Sequence, residues 1–406
     1  MHGILSHRSH YALDGVNFFV AAMQTGFGVF VTVYLVQNGW GAEAIGFALT
    51  LSTVSSLVSQ LPTGALIDHL ADKRRAVQAG VAGVGAAALL LALSAARPGV
   101  YLAQVLQGLT SSLIAPGIAA ISLAAVGHAG LCERIGRNAR FASIGSGLTA
   151  GVMGIAGSYF EPVAIFWLTA ALALPTLLFV SRVDHPRTAE ITLAGSELDE
   201  GRPSWDGLKG LILDRRLLVF ALCIVLFFAA SAAMLPGVAA RVTKRYADFA
   251  PLIVAGTMLL PQAVVAGISP WVGRTAEHVG RRPLLLLGWG LVPLQGVLYA
   301  TLPGAYALPI CLVLNGISGA VFGVMMTVVA ADLTRGTGRF NLTLGALGVA
   351  ISIGASLSTL LGGLTAATLG GAAAFLFLAL LGLLGAVLLW IGLPETKLVA
   401  SDSAGT

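Results

Sequence analysis

Charged residues are scarce in this chain: Asp, Glu, Lys and Arg together make up 10% of its 406 residues. A soluble protein carries roughly 25% of these residues, so the composition excludes a soluble enzyme, a secreted domain and a disordered chain. Cysteine is also scarce. Cys132, Cys223 and Cys311 lie far apart, which predicts neither a disulfide framework nor a metal site. With 57% hydrophobic residues and a mean hydropathy of +0.89, the chain is predicted to be a polytopic membrane protein.

Apolar stretches long enough to cross a bilayer recur along the sequence. A spanning helix needs about 20 apolar residues, and lipid offers backbone groups no hydrogen-bond partners, so each stretch is interpreted as an α-helix. Twelve spans can be marked, at 14–36, 43–67, 77–96, 100–124, 141–160, 162–182, 217–239, 251–272, 284–303, 306–331, 341–364 and 371–393. The predicted fold class is therefore an all-α membrane protein with twelve transmembrane helices.

The distribution of basic residues predicts the orientation of the chain. If the N-terminus lies inside, all but four of the 23 Lys and Arg residues fall in inner segments. The four outer ones are Arg97, Arg241, Lys244 and Arg245. Because inner loops carry the excess of Lys and Arg, we expect a multi-pass protein of the cell inner membrane with both termini in the cytoplasm.

The chain is predicted to consist of two six-helix halves, 1–182 and 217–406, joined by a charged cytoplasmic linker at 183–216. The halves echo one another at three places. The echoes are Gly64 and Asp68 with Gly273 and Glu277 at an offset of 209, Gln107-Gly108 with Asn315-Gly316 at 208, and Arg140-Phe141 with Arg339-Phe340 at 199. Parallel six-helix repeats of this kind are a recurrent architecture of transporters.

The loop after the second span and its echo after the eighth resemble the signature motif of the major facilitator superfamily, as found in bacterial members. In the first copy Gly64 and Asp68 match the motif, whereas His69 and Ala71 stand where a basic residue and a glycine are usual. The resemblance covers essentially the whole chain. It implies two pseudo-symmetric halves around a central cavity lined by spans 1, 4, 7 and 10. It also implies a gate motif formed by Gly64, Asp68, Gly273, Glu277, Gly280, Arg281 and Arg282.

Polar and aromatic side chains on the spans that would line this cavity are candidate substrate-binding residues. They are Asn17 and Gln24 in span 1, Gln107 in span 4, and Asn315 and Phe322 in span 10. Within spans 1 and 10, three- and four-residue spacing places the polar positions on one helical face. The alternative is that these amides join neighbouring helices, where such contacts contribute only about 0.6 kcal/mol on average.

No charged residue lies in the middle of a span, which favours a neutral or amphipathic solute over an ion. Two carboxylates near span ends are candidates for proton coupling. The first is Asp14, which could instead cap the start of span 1, and the second is Asp332 at the inner end of span 10. Proton-coupled members of the resembling family often carry an arginine where this chain has Gln104, and span 5 lacks their Gly-Pro pair. Proton-driven drug antiport is therefore not implied.

The sequence predicts a secondary active transporter that moves a small neutral or amphipathic organic solute by alternating access, with export favoured. The alternatives are an uptake permease for a sugar-like or other metabolite, and a receptor or scaffold that does not transport. An enzyme is not predicted, because no catalytic or metal-binding cluster lies at depth in a span. No cofactor, metal or nucleic acid is expected. The expected partners are a small-molecule substrate, the lipid bilayer and, if Asp14 or Asp332 carries them, protons. We expect a monomer.

Overall fold

The computed structural model describes residues 7–27, 29–159, 161–184, 214–246 and 250–397. Every regular element in these ranges is an α-helix, because a chain in lipid must satisfy its backbone groups internally. The helices are α1 (His7–Thr25), α2 (Val29–Gln37), α3 (Ala42–His69), α4 (Lys73–Leu93), α5 (Arg97–Ser111), α6 (Ile114–Tyr159), α7 (Val163–Ser181), α8 (Arg215–Ser231), α9 (Met234–Arg245), α10 (Ala250–Val279), α11 (Arg281–Thr301), α12 (Gly304–Leu333), α13 (Phe340–Leu369) and α14 (Gly371–Gly392).

The described residues contain eleven apolar stretches long enough to cross a membrane, and one of them accounts for two crossings. That stretch, Arg97–Met153, has 57 residues. As a single helix it would be about 85 Å long, whereas the hydrocarbon core of a bilayer is about 30 Å thick. Gly127 breaks it, since its φ of 65° and ψ of −177° are open to glycine but not to helical backbone. The described residues therefore contain twelve spans, and the predicted fold class is confirmed.

Three spans are interrupted within their length. Span 1 consists of α1 and α2, span 7 consists of α8 and α9, and span 4 consists of α5 and the first part of α6. At the break in span 7 the backbone N–H of Ala233 donates to the Ser358 hydroxyl at 3.0 Å, which satisfies a group that the helix leaves unpaired. Breaks of this kind are tolerated in a membrane only where neighbouring helices supply such partners.

The start of span 5 differs most from the sequence-based boundary. The apolar run begins at 141, yet the helix resumes at His128, directly after Gly127. Arg134 and Arg137 lie before the apolar run but within the helix. Both side chains are paired with Asp14 of α1, so their charges are accommodated there. Most of the predicted linker, 183–216, lies outside the described residues, and the limits of the two halves stay a prediction.

Each half has its own hydrophobic core. One core is built from α1–α7 and includes the fully buried Phe166, and the other is built mainly from α8–α14 and includes the fully buried Trp289. On the outside, large apolar side chains such as Leu174 and Ile391 are 72% and 76% exposed. An apolar exterior of this kind is suited to lipid, as expected for a multi-pass membrane protein.

Helices within each half approach closely at glycines. Gly145 of α6 lies against the Phe18 carbonyl of α1, and Gly354 of α13, 209 residues later, lies against the Val225 carbonyl of α8. A Cβ atom at either glycine would overlap the facing backbone. Since lipid supplies no hydrophobic force between helices, small residues at such crossings allow the close packing that holds each half together.

Candidate functional site

The two halves meet at one end of the bundle, which we call the basic end because Lys73, Arg74, Arg134, Arg281 and Arg282 lie there. It is formed by the last turns of α3 and α10, the first turns of α11 and α13, and the part of α6 that follows the break. The most extensive contacts between the halves run along two lines, or seams. The 2–11 seam joins α3 to α13, and the 5–8 seam joins α6 to α10.

Glycines on both seams let helices of opposite halves touch backbone to backbone. At four of them an added Cβ atom would overlap a carbonyl oxygen of the other half. The glycines and the residues whose carbonyls they face are Gly64 with Asn341 and Gly345 with Gln60 on the 2–11 seam, and Gly273 with Cys132 and Gly136 with Ser269 on the 5–8 seam. Every residue of one seam is 209 positions from its counterpart in the other, so the seams are pseudo-symmetric.

The offset of 209 residues distinguishes structurally equivalent positions from a chance match in sequence. At an offset of 209, Phe340 at the start of α13 corresponds to Leu131 rather than to Phe141. The echo between Arg140-Phe141 and Arg339-Phe340, at an offset of 199, is therefore not a structural equivalence. That pairing aligned the starts of two apolar runs. It fails because the part of α6 after the break begins well before its apolar run does, so the start of the run does not mark the start of the helix.

Asp68 joins the two halves on the 2–11 seam. Its carboxylate accepts hydrogen bonds from the Asn341 backbone N–H at 2.9 Å, from Asn341 Nδ2 at 2.8 Å and from the Leu342 backbone N–H at 2.8 Å. These backbone donors belong to the first turn of α13, where the helix itself leaves N–H groups unused and its dipole favours an anion. The carboxylate therefore acts as an N-cap supplied by the opposite half.

The two departures from the motif after span 2 are compensated locally. Lys73 donates from Nζ to the carbonyls of Ile67 and Asp68, so the basic group closes the C-terminus of α3 four residues after His69. Asp72 caps α4 by accepting from the Arg74 backbone N–H at 3.0 Å. The loop thus uses a later lysine where the motif usually places a basic residue next to the acid.

The second copy of the motif forms a network within the C-terminal half. Gly280 has a φ of 102°, a backbone conformation that favours glycine. A Cβ atom at this position would also overlap the Glu395 carboxylate. Arg281 donates from Nε to Asp332 at 3.0 Å. Glu395 accepts from the backbone N–H groups of Arg281 at 2.8 Å and Arg282 at 3.0 Å, capping α11. Asp332, a proton-coupling candidate, is thus ion-paired.

Glu395 follows the last span, and its environment is that of an ionised cap. Burial raises the pKa of this carboxyl group, but hydrogen bonds from the backbone of Arg281, Lys397 and Arg282, together with the charge of Arg281, outweigh burial. The net pKa lies below its usual value.

Asp14, the other proton-coupling candidate, lies inside α1 and so does not cap that helix. It is 4% exposed and is ion-paired with both Arg134 and Arg137, whose Nε lies 3.0 Å from each Asp14 oxygen. Arg134 is 3% exposed and also donates to Asn138 at 2.8 Å. The carboxylate is therefore held between two guanidinium groups.

The candidate substrate-binding residues of the N-terminal half differ in their surroundings. Asn17 is buried and donates from Nδ2 to the Leu13 carbonyl of its own helix at 2.7 Å. Gln24, two turns further along the same face, is exposed. Gln107 accepts from the Ser52 hydroxyl of α3 at 2.6 Å. Gln107 and Asn17 thus take part in packing, whereas the Gln24 amide is accessible.

The candidates of the C-terminal half lie on one face of α12, seven residues apart. Asn315 and Phe322 are both half-buried. The Phe322 ring stacks on Phe227 of α8 with 5.1 Å between ring centroids, and meets the edge of Phe228 at 5.0 Å. Trp289 of α11 packs behind Phe227 at 4.6 Å. The half-buried rings of Phe228 and Phe322 thus rest on a buried aromatic layer.

Sequence reasoning missed the arginines around Asp14 and the ring of Trp289, and it noted Gln104 only through the family resemblance. The arginines that hold Asp14 lie between the apolar runs of spans 4 and 5, although the three-residue spacing of Arg134 and Arg137 places them on one helical face. Trp289 carries no signal in the sequence that distinguishes it from other apolar residues of its span. Gln104 is 2% exposed, and its Nε2 has no hydrogen-bond partner among the described residues. Only its replacement of a family arginine marks that position.

Known proteins share both the sequence pattern and the fold. The model of the Major Facilitator Superfamily matches residues 13–305 and 246–406. An uncharacterised MFS-type transporter, found in two strains of Mycobacterium tuberculosis, is 34% identical over 388 residues, which cover 95% of this chain and 93% of that protein.

Solved structures of transporters superpose on almost the entire chain. The human organic anion transporter MFSD10 (TETRAN) has a TM-score of 0.71 and 15% identity, with coverage of 94% of this chain and 99% of that one. A mutant of the nucleoside transporter NupG has a TM-score of 0.66 and 15% identity, with coverage of 95% and 100%. This chain belongs to the Major Facilitator Superfamily, a family of multi-pass secondary transporters.

Proposed function

We propose that this protein exports a small neutral or amphipathic organic solute across the cell inner membrane by alternating access. The observation that carries the proposal is the basic end, where two pseudo-symmetric halves close on one another through matched glycine seams. Two similar units in contact at one end are able to rock, so that a surface between them is exposed to one side of the membrane at a time.

The basic end is proposed to lie in the cytoplasm, with both termini on that side. The reason is the excess of Lys and Arg in the segments at this end, since membrane proteins retain such loops inside. In this orientation the structure represents the state that is closed towards the cytoplasm, with Asp68 holding α13. A substrate surface between the halves then faces outwards.

The chemistry of the proposed substrate surface favours a solute without net charge. Asp14 is paired with Arg134 and Arg137. The charge of Glu133 acts on both arginines and balances the second one. Asp332 is paired with Arg281, so these charges are committed to one another. An ionic solute would need an unpaired opposite charge within the membrane, which is expensive to maintain. Amides such as Gln24 bind neutral polar groups by hydrogen bonds instead.

The aromatic side of the surface supports an amphipathic solute in particular. Phe228 and Phe322 are half-buried, and Asn315 lies on the same face of α12 as Phe322. Apolar walls with a few placed polar groups are typical of small-molecule sites. We infer that Asn17, Gln24, Gln107, Asn315 and Phe322 contribute to binding, with Gln24 and Asn315 in direct contact with the solute and Asn17 and Gln107 supporting the wall behind them.

Proton coupling is proposed to be weak. Asp14 and Asp332 are the carboxylates that would carry protons, and each would have to leave its guanidinium partner to do so. The alternative function is uptake of a sugar-like or other metabolite. A sugar is favoured less because its several hydroxyl groups need more hydrogen-bond partners than the amides of Gln24 and Asn315 supply. The transporters of organic anions and of nucleosides share only the fold at 15% identity, so their substrates do not choose between these alternatives.

The proposal is tested with a screen of toxic amphipathic compounds, followed by transport in vesicles of both orientations. Cells that express the protein should tolerate its substrate better than cells that carry the vector alone, and inside-out vesicles should accumulate the compound. Gln24→Ala combined with Asn315→Ala should reduce this accumulation at least about tenfold at unchanged protein abundance. Gln37→Ala, an exposed amide at the end of α2, is the matched control. Accumulation only in right-side-out vesicles would establish uptake instead.

A further inference from the structure

The pseudo-symmetric register allows the two seams to be compared residue by residue, and they differ at their acids. On the 2–11 seam, Asp68 accepts three hydrogen bonds from Asn341 and Leu342, at 2.8 to 2.9 Å. On the 5–8 seam the corresponding acid is Glu277, and the residues 209 positions before Asn341 and Leu342 are Cys132 and Glu133. Glu277 Oε1 is buried and has no hydrogen-bond partner in the part of the chain that the structure describes.

The first cause of this difference is the position at which each facing helix begins. In α13 the Thr343 N–H donates to the Arg339 carbonyl at 3.0 Å, so the N–H groups of the residues just before Thr343 are not used by the helix. The corresponding helix on the other seam resumes at His128. Cys132 and Glu133 therefore lie in its second turn, where each N–H donates to the carbonyl four residues earlier.

The second cause is the side chain at the contact. Asn341 donates from Nδ2, whereas a cysteine thiol is a weak donor. Cys132 is fully buried, its carbonyl lies against Gly273, and its thiol is within electrostatic range of Glu277. Neither the backbone nor the side chain at this position therefore satisfies the acid of the 5–8 seam.

We propose that the basic end is an asymmetric gate, in which the 2–11 seam holds the halves closed and the 5–8 seam is the one that yields, with Cys132 as the positioning residue that sets its strength. A buried unpaired acceptor destabilises the closed state, whereas a hydrogen bond to a carboxylate stabilises it. Because the inference concerns the balance between closed and open states, it stands or falls independently of the solute and of the direction of transport.

The test is to supply the missing donor. Cys132→Asn places on the 5–8 seam the amide that Asn341 provides on the other, and Cys132→Leu is the matched control, with a similar branched shape and no donor. Hydrogen–deuterium exchange of the protein in lipid nanodiscs is followed separately for peptides of each seam. In the wild type, peptides of the 5–8 seam should exchange faster than those of the 2–11 seam. Cys132→Asn should slow exchange at the 5–8 seam about tenfold relative to Cys132→Leu.

Two further variants keep the test decisive. In a Glu277→Ala background, Cys132→Asn should no longer slow exchange, because the new amide would have no carboxylate to bind. The reciprocal variant, Asn341→Cys, removes one donor from Asp68 and should speed exchange on the 2–11 seam about tenfold, even if Cys132→Asn fails to fold. Equal exchange of both seams in the wild type, an equal effect of Asn and Leu at position 132, or an effect that persists without Glu277 would overturn the proposal.

Discussion

Single side chains carry the charge chemistry at the basic end, and three of the acids there, unlike Glu277, are held by specific partners. Asp14 has two arginines, Asp332 has Arg281, and Asp68 has the first turn of α13. Such buried groups are poor evidence for stability by themselves, but removal of one partner is strongly destabilising because the other is left uncompensated. Only the contact of Asp68 crosses between the halves, so it is the one whose loss should change conformation rather than folding.

Asp68→Asn should open the basic end. The substitution removes the negative charge and one acceptor, and a hydrogen bond to a charged group contributes about 1.5–3 kcal/mol, so the open population should rise at least about tenfold. The measurement is the rate at which a maleimide alkylates Cys132, which is fully buried in the closed seam, in a background in which Cys223 and Cys311 are alanine. Glu43→Gln, an exposed acid at the far end of α3, is the control. Equal rates in both variants would mean that the Asp68 contact does not hold the gate.

Glu395 should make the attachment of the segment after α14 dependent on pH. Its folded-state pKa is lowered, so its hydrogen bonds stabilise this segment above the unfolded value of about 4.3 and are lost as the pH falls through the folded value. A nitroxide label at the exposed position 394 should be immobile at pH 7 and become mobile as the pH is lowered through the folded-state pKa of Glu395, which lies below its usual value. Glu395→Gln should mobilise the label already at pH 7. A label that stays immobile in this variant would show that the buried Leu393 and the hydrogen bonds of Thr396 and Lys397 anchor the segment without Glu395.

The helices were predicted well in number but less well in their boundaries and breaks. Twelve apolar runs identified twelve crossings, because lipid forces each run into a helix. The same criterion misplaced the start of span 5, since Arg134 and Arg137 interrupt hydrophobicity but continue the helix by pairing with Asp14. The breaks inside spans 1, 4 and 7 were not predicted either, because they depend on contacts such as that of Ser358 with Ala233 rather than on local composition.

Seam glycines should be distinguishable from other glycines of the same helices. Gly64→Ala in α3 and Gly273→Ala in α10 place a Cβ atom against the carbonyls of Asn341 and Cys132, and overpacking of this kind typically costs about 1–3 kcal/mol. Each variant should therefore raise alkylation of Cys132 by at least about fivefold. Gly46→Ala in α3 and Gly267→Ala in α10 meet nothing within 4 Å and are the matched controls. If all four variants react alike, the close approach of the seams is not what keeps the basic end closed.

The molecule as a whole is a pair of related halves, and this much followed from the echoes of Gly64 with Gly273 and Asp68 with Glu277. The motif located the acids of both seams, Asp68 and Glu277. It did not predict that only the first of these two finds donors, because that outcome depends on a difference of about one helical turn between the starts of span 5 and span 11. The residues of the candidate substrate surface were predicted from their polar or aromatic character. Only the structure distinguishes the accessible amide of Gln24 from that of Gln107, which already accepts a hydrogen bond from Ser52.

Alternating access, the central claim, is tested most directly by measuring distances at both ends of the bundle. In a cysteine-free background, nitroxide pairs at the exposed positions 69 and 337 report the basic end, and pairs at the exposed positions 38 and 369 report the opposite end. Double electron–electron resonance in nanodiscs should give two populations at each end. Asp68→Asn should shift the basic end towards the longer distance and the opposite end towards the shorter one, by the same fraction of molecules. A single distance at each end, unchanged by Asp68→Asn, would contradict the account and indicate a rigid scaffold.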